Sequence, residues 1–139
     1  MTITENFFFM KLQLLKDTTI REVKKQFQTI FKSLKLEFFA MSHVAGESSA
    51  LMDRLPDHIR LSAASKTFRE GEFLFKGTDT VANFEKRLQE ELGLSVQVFR
   101  KSGSLWIETV QTDNLSLEKQ NTLDAPPAPA RFNLNTLFL

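Results

Sequence analysis

The stretch TVANFEKRLQEELGLSVQVFRKSGSLWIETV, Thr80 to Val110, decides how this chain is read. Val81, Phe84, Leu88 and Leu92 recur at helical spacing behind Thr80, a residue type that caps helix starts. Gly93 ends the run, because glycine enters the left-handed conformation without a Cβ penalty. Leu94, Val96 and Val98 then alternate with polar neighbours, the period of a strand with one buried face. Ser102-Gly103 makes a tight turn, and Leu105 to Val110 returns antiparallel.

The same order occurs upstream in TIREVKKQFQTIFKSLKLEFF, Thr19 to Phe39. Thr19 and Glu22 have the spacing of a capping box. Ile20, Val23, Phe27, Ile30 and Phe31 form an apolar helical stripe, and Leu34, Leu36 and Phe38 alternate as a strand. A strand precedes each helix: Phe7 to Leu15, then Glu72 to Lys76. At an offset of 61 residues Leu12 matches Phe73, Leu14 matches Phe75, Thr19 matches Thr80 and Val23 matches Phe84. Lys25 and Gln28 match Lys86 and Gln89; after a one-residue deletion Leu34 and Phe39 match Leu94 and Phe99. Burial forces many of these matches on any two strand–helix–strand units. The shared cap and the Lys and Gln positions are not so forced, and they point to an internal duplication.

Two such units predict an α+β domain: a ferredoxin-like βαββαβ sandwich with strand order 4-1-3-2, right-handed crossovers, and Leu105 to Val110 as an extra C-terminal hairpin strand. A ubiquitin-like roll is the alternative. Residues 1–123 read as one domain, with 41–70 as an insertion between the units. Within the insertion, Asp57 to Lys66 suggests a short helix capped at Asp57; Asn114 to Asn121 suggests a last one capped by Ser116. APPAPA opens a Pro/Ala linker and a short apolar tail over 124–139, read as flexible.

Composition narrows the function classes. The chain has 139 residues, 42% hydrophobic and 25% charged, with a formal net charge of +1. That balance gives no global electrostatic reason to expect nucleic acid or an anionic membrane, and weighs against both. There is no cysteine, so disulfides and thiolate chemistry are excluded. No apolar run approaches the ~20 residues of a membrane helix. The N-terminal MTITENFFFMK lacks the basic start of a secretion signal, so a cytoplasmic location is expected.

No motif carries catalysis. His43 and His58 both fall in the insertion, and with Glu47, Asp53 and Asp57 they match no metal-ligand spacing. Ser48, Ser49 and Ser62 have no base at a recognisable distance in sequence, and no glycine pattern forms a phosphate loop. The chain is therefore read as non-enzymatic, with no catalytic residue, cofactor or metal.

What remains is a surface. Strand parity turns Phe8, Met10, Leu12, Leu14, Leu34, Leu36, Phe38, Phe73, Phe75, Val96, Val98, Leu105 and Ile107 toward the helices. It turns Phe7, Phe9, Phe39, Leu74, Phe99 and Trp106 away. A bare apolar face of that size is rare on a monomer. Phe9, Phe39, Leu74, Phe99 and Trp106 are accordingly expected to form an interaction surface for a protein partner or a second copy. The alternatives are single-stranded nucleic acid stacked on Phe39, Phe99 and Trp106, and a small ligand held under the 41–70 insertion.

Overall fold

The computed structural model describes residues 9–40 and 53–123. Phe7, Phe8, His43, Glu47, Ser48, Ser49 and the 124–139 tail lie outside the described residues. The described elements, in order, are β1 (Phe9–Leu14), α1 (Ile20–Ile30), β2 (Leu34–Phe39), α2 (Leu61–Ala64), β3 (Gly71–Lys76), α3 (Val81–Leu92), β4 (Ser95–Ser102), β5 (Leu105–Glu108) and α4 (Leu117–Thr122). A single 3-10 turn, Val110–Thr112, precedes α4 and shortens the expected fifth strand.

The chain is α+β, as the sequence predicts, but its strands form two antiparallel sheets. One pairs β1 with β3; the other runs β2-β4-β5. The single sheet in order 4-1-3-2 is not what forms. In that arrangement β1 would also pair β4, β3 would also pair β2, and β2 and β4 would sit on opposite edges; here β1 and β3 are antiparallel neighbours, as that order expects, but neither takes a second strand and β2 pairs β4. The edges of the ribbon explain the difference. On the outer edge of β1, Gln26 of α1 accepts from the Gln13 amide at 2.8 Å and donates to its carbonyl at 3.1 Å. On the outer edge of β3, Arg87 of α3 donates to the Leu74 carbonyl at 2.8 Å. Helix side chains thus occupy, at Gln13 and Leu74, groups that a third and fourth strand would need.

Both sheets have symmetric registers. Leu12 lies opposite Phe73, and from that pair Met10 faces Phe75 and Leu14 faces Gly71. Glu37 lies opposite Gln97, with Leu36 facing Val98 and Phe38 facing Val96. The match extends past the strand–helix–strand units. The first amides of α1 donate to the loop that follows β2, Ile20 to the Ile59 carbonyl and Arg21 to that of Asp57, both at 2.9 Å. Those of α3 donate to the loop that follows β5, Val81 to the Leu115 carbonyl at 3.0 Å and Ala82 to that of Asp113 at 2.9 Å. Thr19 and Thr80 cap the third amide in each helix, with Glu22 completing the capping box at Thr19. These bonds satisfy helix-start donors that have no partner within the helix.

Residues 53–64, read from the sequence as part of an insertion, therefore build onto the first unit as 108–122 build onto the second. The helix expected from Asp57 is only α2, one turn starting after Arg60 with no side-chain cap. Asp57 is engaged elsewhere, by Arg21 and by Lys24 at 2.9 Å. Ser116 does cap α4, accepting from the Lys119 amide at 3.0 Å.

Strand parity holds because the pleat alternates faces. Leu12, Leu14, Leu34, Leu36, Phe38, Phe73, Phe75, Val96 and Val98 are all buried in one cluster with the apolar stripes of α1 and α3, while Met10 is partly buried against it. At the cluster's centre Phe27 of α1 meets Phe84 of α3, ring centroids 5.4 Å apart.

Candidate functional site

The five residues expected on the outer face divide between two surfaces. Phe9 and Leu74, each 47% exposed, lie on the outer face of the β1–β3 ribbon, where Lys76 stands 5.2 Å over the Phe9 ring and Lys11 bridges Glu72 at 3.4 Å. Phe39, Phe99 and Trp106 lie on the second sheet. Phe39 and Phe99 are buried, at 1% and 7% exposure, and Trp106 is half-buried. Base stacking across this sheet needs open rings, and two of the three are closed.

The second sheet's outer face is polar at its centre. The Glu37 carboxylate is buried and meets Lys24 at 3.0 Å, Lys35 at 3.1 Å and Arg54 at 3.4 Å. Lys35 also stands over the Trp106 ring at 5.1 Å and near that of Phe99 at 5.9 Å. One ammonium thus ties a buried carboxylate to the indole by cation–π attraction. Opposite Glu37, Gln97 is only 9% exposed, and its side-chain oxygen has no hydrogen-bond partner.

The outer edges of the sheet are treated unequally. The edge of β2 is taken by the 53–55 segment: Leu55 donates to the Phe38 carbonyl at 2.8 Å, and Ala40 to that of Asp53 at 3.0 Å. The edge of β4 is taken by β5 and, beyond it, by two side chains at Val98. Glu85 accepts from the Val98 amide at 2.8 Å, and the Thr109 hydroxyl donates to the Val98 carbonyl at 2.8 Å. Among the described residues, β5 itself pairs only with β4. Ser102 and Leu105 close the hairpin, so ladder alternation turns the amides and carbonyls of Trp106 and Glu108 outward. Leu105, read as helix-facing, is 67% exposed; it sits at the turn, beyond the reach of the helices' apolar stripes.

Glu85 was not singled out by the sequence. Burial pushes its carboxyl up to about 8 from the usual 4.5, the Val98 amide pulls it down, and Asp113 and Glu108 add to the rise. The folded state therefore holds a proton on Glu85 between pH 4.5 and 8 that the unfolded chain releases. Stability is highest below the unfolded value and falls as pH rises toward 8. Linkage puts the loss on the order of 2–4 kcal/mol. Glu85→Gln keeps the acceptor for Val98 and should flatten this slope, so urea unfolding at pH 5 and pH 8 is expected to give similar stabilities for the variant only. An equal slope in both proteins would remove Glu85 as its source.

Among the described residues, no group of three or more His, Asp or Glu is arranged to hold a metal ion, and no helix is long and apolar enough to cross a membrane. His58 is exposed. What this arrangement offers is an open strand edge beside an aromatic residue held in place. Comparison with known protein families, curated proteins and solved structures finds no match.

Proposed function

We propose that the chain is a non-enzymatic interaction module, built from two copies of one β-α-β-loop-α unit, that receives an extended protein segment on the edge of β5. The observation that carries this reading is that, among the described residues, nothing pairs with the outer edge of β5, whereas the outer edges of β1, β2 and β3 are taken at Gln13, Phe38 and Leu74. A strand that leaves main-chain donors and acceptors unpaired is a template for another strand. Leu105, Trp106 and Ile107 make it a good β-former with apolar side chains on both faces. The simplest occupant is β5 of a second copy, since antiparallel pairing of identical strands is self-complementary.

Sedimentation velocity over a concentration series tests this. A monomer–dimer equilibrium is expected, with the Trp106 and Glu108 amides gaining hydrogen-exchange protection in the dimer. Glu108→Pro removes an outward donor without touching the β4 ladder, so it should leave the fold intact and the chain monomeric. A wild-type protein that stays monomeric at every concentration, with both amides exchanging freely, would sink strand pairing between copies.

A further inference from the structure

The near-neutral net charge conceals a division. Residues 9–40 and 53–66 hold ten Lys and Arg against five Asp and Glu; residues 67–123 hold seven against nine. The contrast is sharpest on the exposed sides of the two long helices. Where α1 carries Arg21, Lys24 and Lys25, the corresponding positions of α3 are Ala82, Glu85 and Lys86. Both helices pack on their own strands in the same way, so the fold does not require α1 to be basic.

On α1 the cations line a concavity. An open groove of about 390 Å³ is bounded by Arg21, Lys24, Lys25, Gln28, Thr29 and Asp57. Lys25 and Thr29 are shared with a second groove of about 700 Å³ that continues to Lys11 and Gln13 on β1. Lys24 is neutralised by Glu37 and Asp57 at 3.0 and 2.9 Å. Arg21 and Lys25 are exposed, and their side chains form no hydrogen bond or ion pair with the described residues. Arg21, Lys25 and Gln28 follow the i, i+4, i+7 spacing, so they form one stripe along the helix.

We propose that this groove binds the phosphodiester backbone of nucleic acid, independently of base sequence and of the β5 edge. The lining selects the ligand class. The smaller groove contains no apolar side chain, so it offers no pocket for the aromatic or aliphatic anchors that dominate protein–protein affinity. It offers two unpaired cations, one of them a guanidinium able to fork onto phosphate oxygens, beside the Gln28 amide. Phosphates need only those groups. Asp57 and Glu22 on the walls keep the local charge moderate, which sets a weak, salt-sensitive interaction.

Fluorescence anisotropy with a labelled oligothymidylate and a labelled duplex, at low salt, reads this directly. Binding is expected to at least one probe, weakening steadily as salt rises. The double change Arg21→Glu, Lys25→Glu should weaken it by about tenfold or more. Lys86→Glu, the same charge reversal at the position corresponding to Lys25, should leave it within about twofold. The changed residues are exposed, and unaltered thermal melting verifies that the fold persists. Three outcomes would overturn the proposal: no binding to either probe, an equal loss in Lys86→Glu, or polyglutamate binding as tightly as the oligonucleotide. The last would identify an acidic-peptide surface instead. Because the readout does not involve β5, Glu108→Pro should bind as wild type does.

Discussion

Phe84→Ala is expected to cost about 3–5 kcal/mol of folding stability, enough to consume much of a small domain's margin. Phe84 has no exposed surface, and its ring lies 5.4 Å from Phe27, 5.5 Å from Phe73 and 5.1 Å from Phe75. It contacts its own strand β3 and reaches across to α1, so its removal leaves a cavity where the two halves join. Phe73, Phe75 and Phe27 are themselves fully buried and constrained by one another, which limits how far the site can collapse. The effect is to be read from urea unfolding with the denaturant slope unchanged. Phe84→Leu, which keeps most of the volume, should cost about 1–2 kcal/mol. A loss below about 1 kcal/mol for Phe84→Ala would mean that this aromatic cluster is not the joint between the halves.

Gly93→Ala is expected to be nearly as damaging, and Gly103→Ala mild, although both glycines have left-handed backbones with φ of +70° and +64°. The shared conformational penalty is about 1 kcal/mol. The difference lies in what a Cβ would meet. At Gly93 it would collide with the carbonyl of Thr67, a backbone group that cannot swing aside. That carbonyl is held by its surroundings, since the Thr67 hydroxyl donates to the Gly93 carbonyl at 3.2 Å and Arg69 donates to the Leu92 carbonyl at 3.0 Å. Overpacking adds about 1–3 kcal/mol, for a total of roughly 2–4. At Gly103 nothing lies within 4 Å, so only the backbone penalty applies. Thermal melting should separate the two variants by about 5–15 °C. Equal losses would show that the left-handed backbone, rather than the close approach of the 67–69 segment, sets the cost at Gly93.

Element type and inward-facing residues were legible because both depend on local geometry. The apolar stripes of α1 and α3, the Thr caps, and the alternation through β1 to β4 follow from the 3.6- and two-residue periods and need no knowledge of partners. Strand partnership was legible only in part: the expected order put β1 beside β3 and the last hairpin strand beside β4, as found, but did not put β2 beside β4. Parity places Leu36 and Val98 on inner faces, but nothing local says that they lie opposite each other in antiparallel strands. Nor does it show that Gln26 and Arg87 reach over to the edges of β1 and β3, contacts between side chain and backbone with no sequence periodicity. The matching roles of the 53–64 and 108–122 segments were hidden for a similar reason: they share main-chain hydrogen bonds to helix starts, not residue types.

The expected interaction surface shows the same division. Parity correctly separated Phe39, Phe99 and Trp106 from the helix-facing set, yet could not tell which would be accessible. Phe39 and Phe99 are buried, and Lys35, which the sequence presents as one more surface charge, stands over Trp106 while pairing with Glu37. The position of Glu85 on a charged helix face likewise gave no sign that it would bond the Val98 amide.

The sequence by itself determined the order of the main elements, the caps of α1, α3 and α4, the inner faces of β1 to β4, and the absence of cysteine chemistry. Each of these is fixed by covalent geometry or by residue identity within a few positions. The tertiary structure alone decided that β2 pairs β4 in a separate sheet, which described edge lacks a partner, and which cations of α1 line a groove. Those properties depend on groups brought together from across the chain, where desolvation and hydrogen-bond completion, rather than local propensity, select the partner.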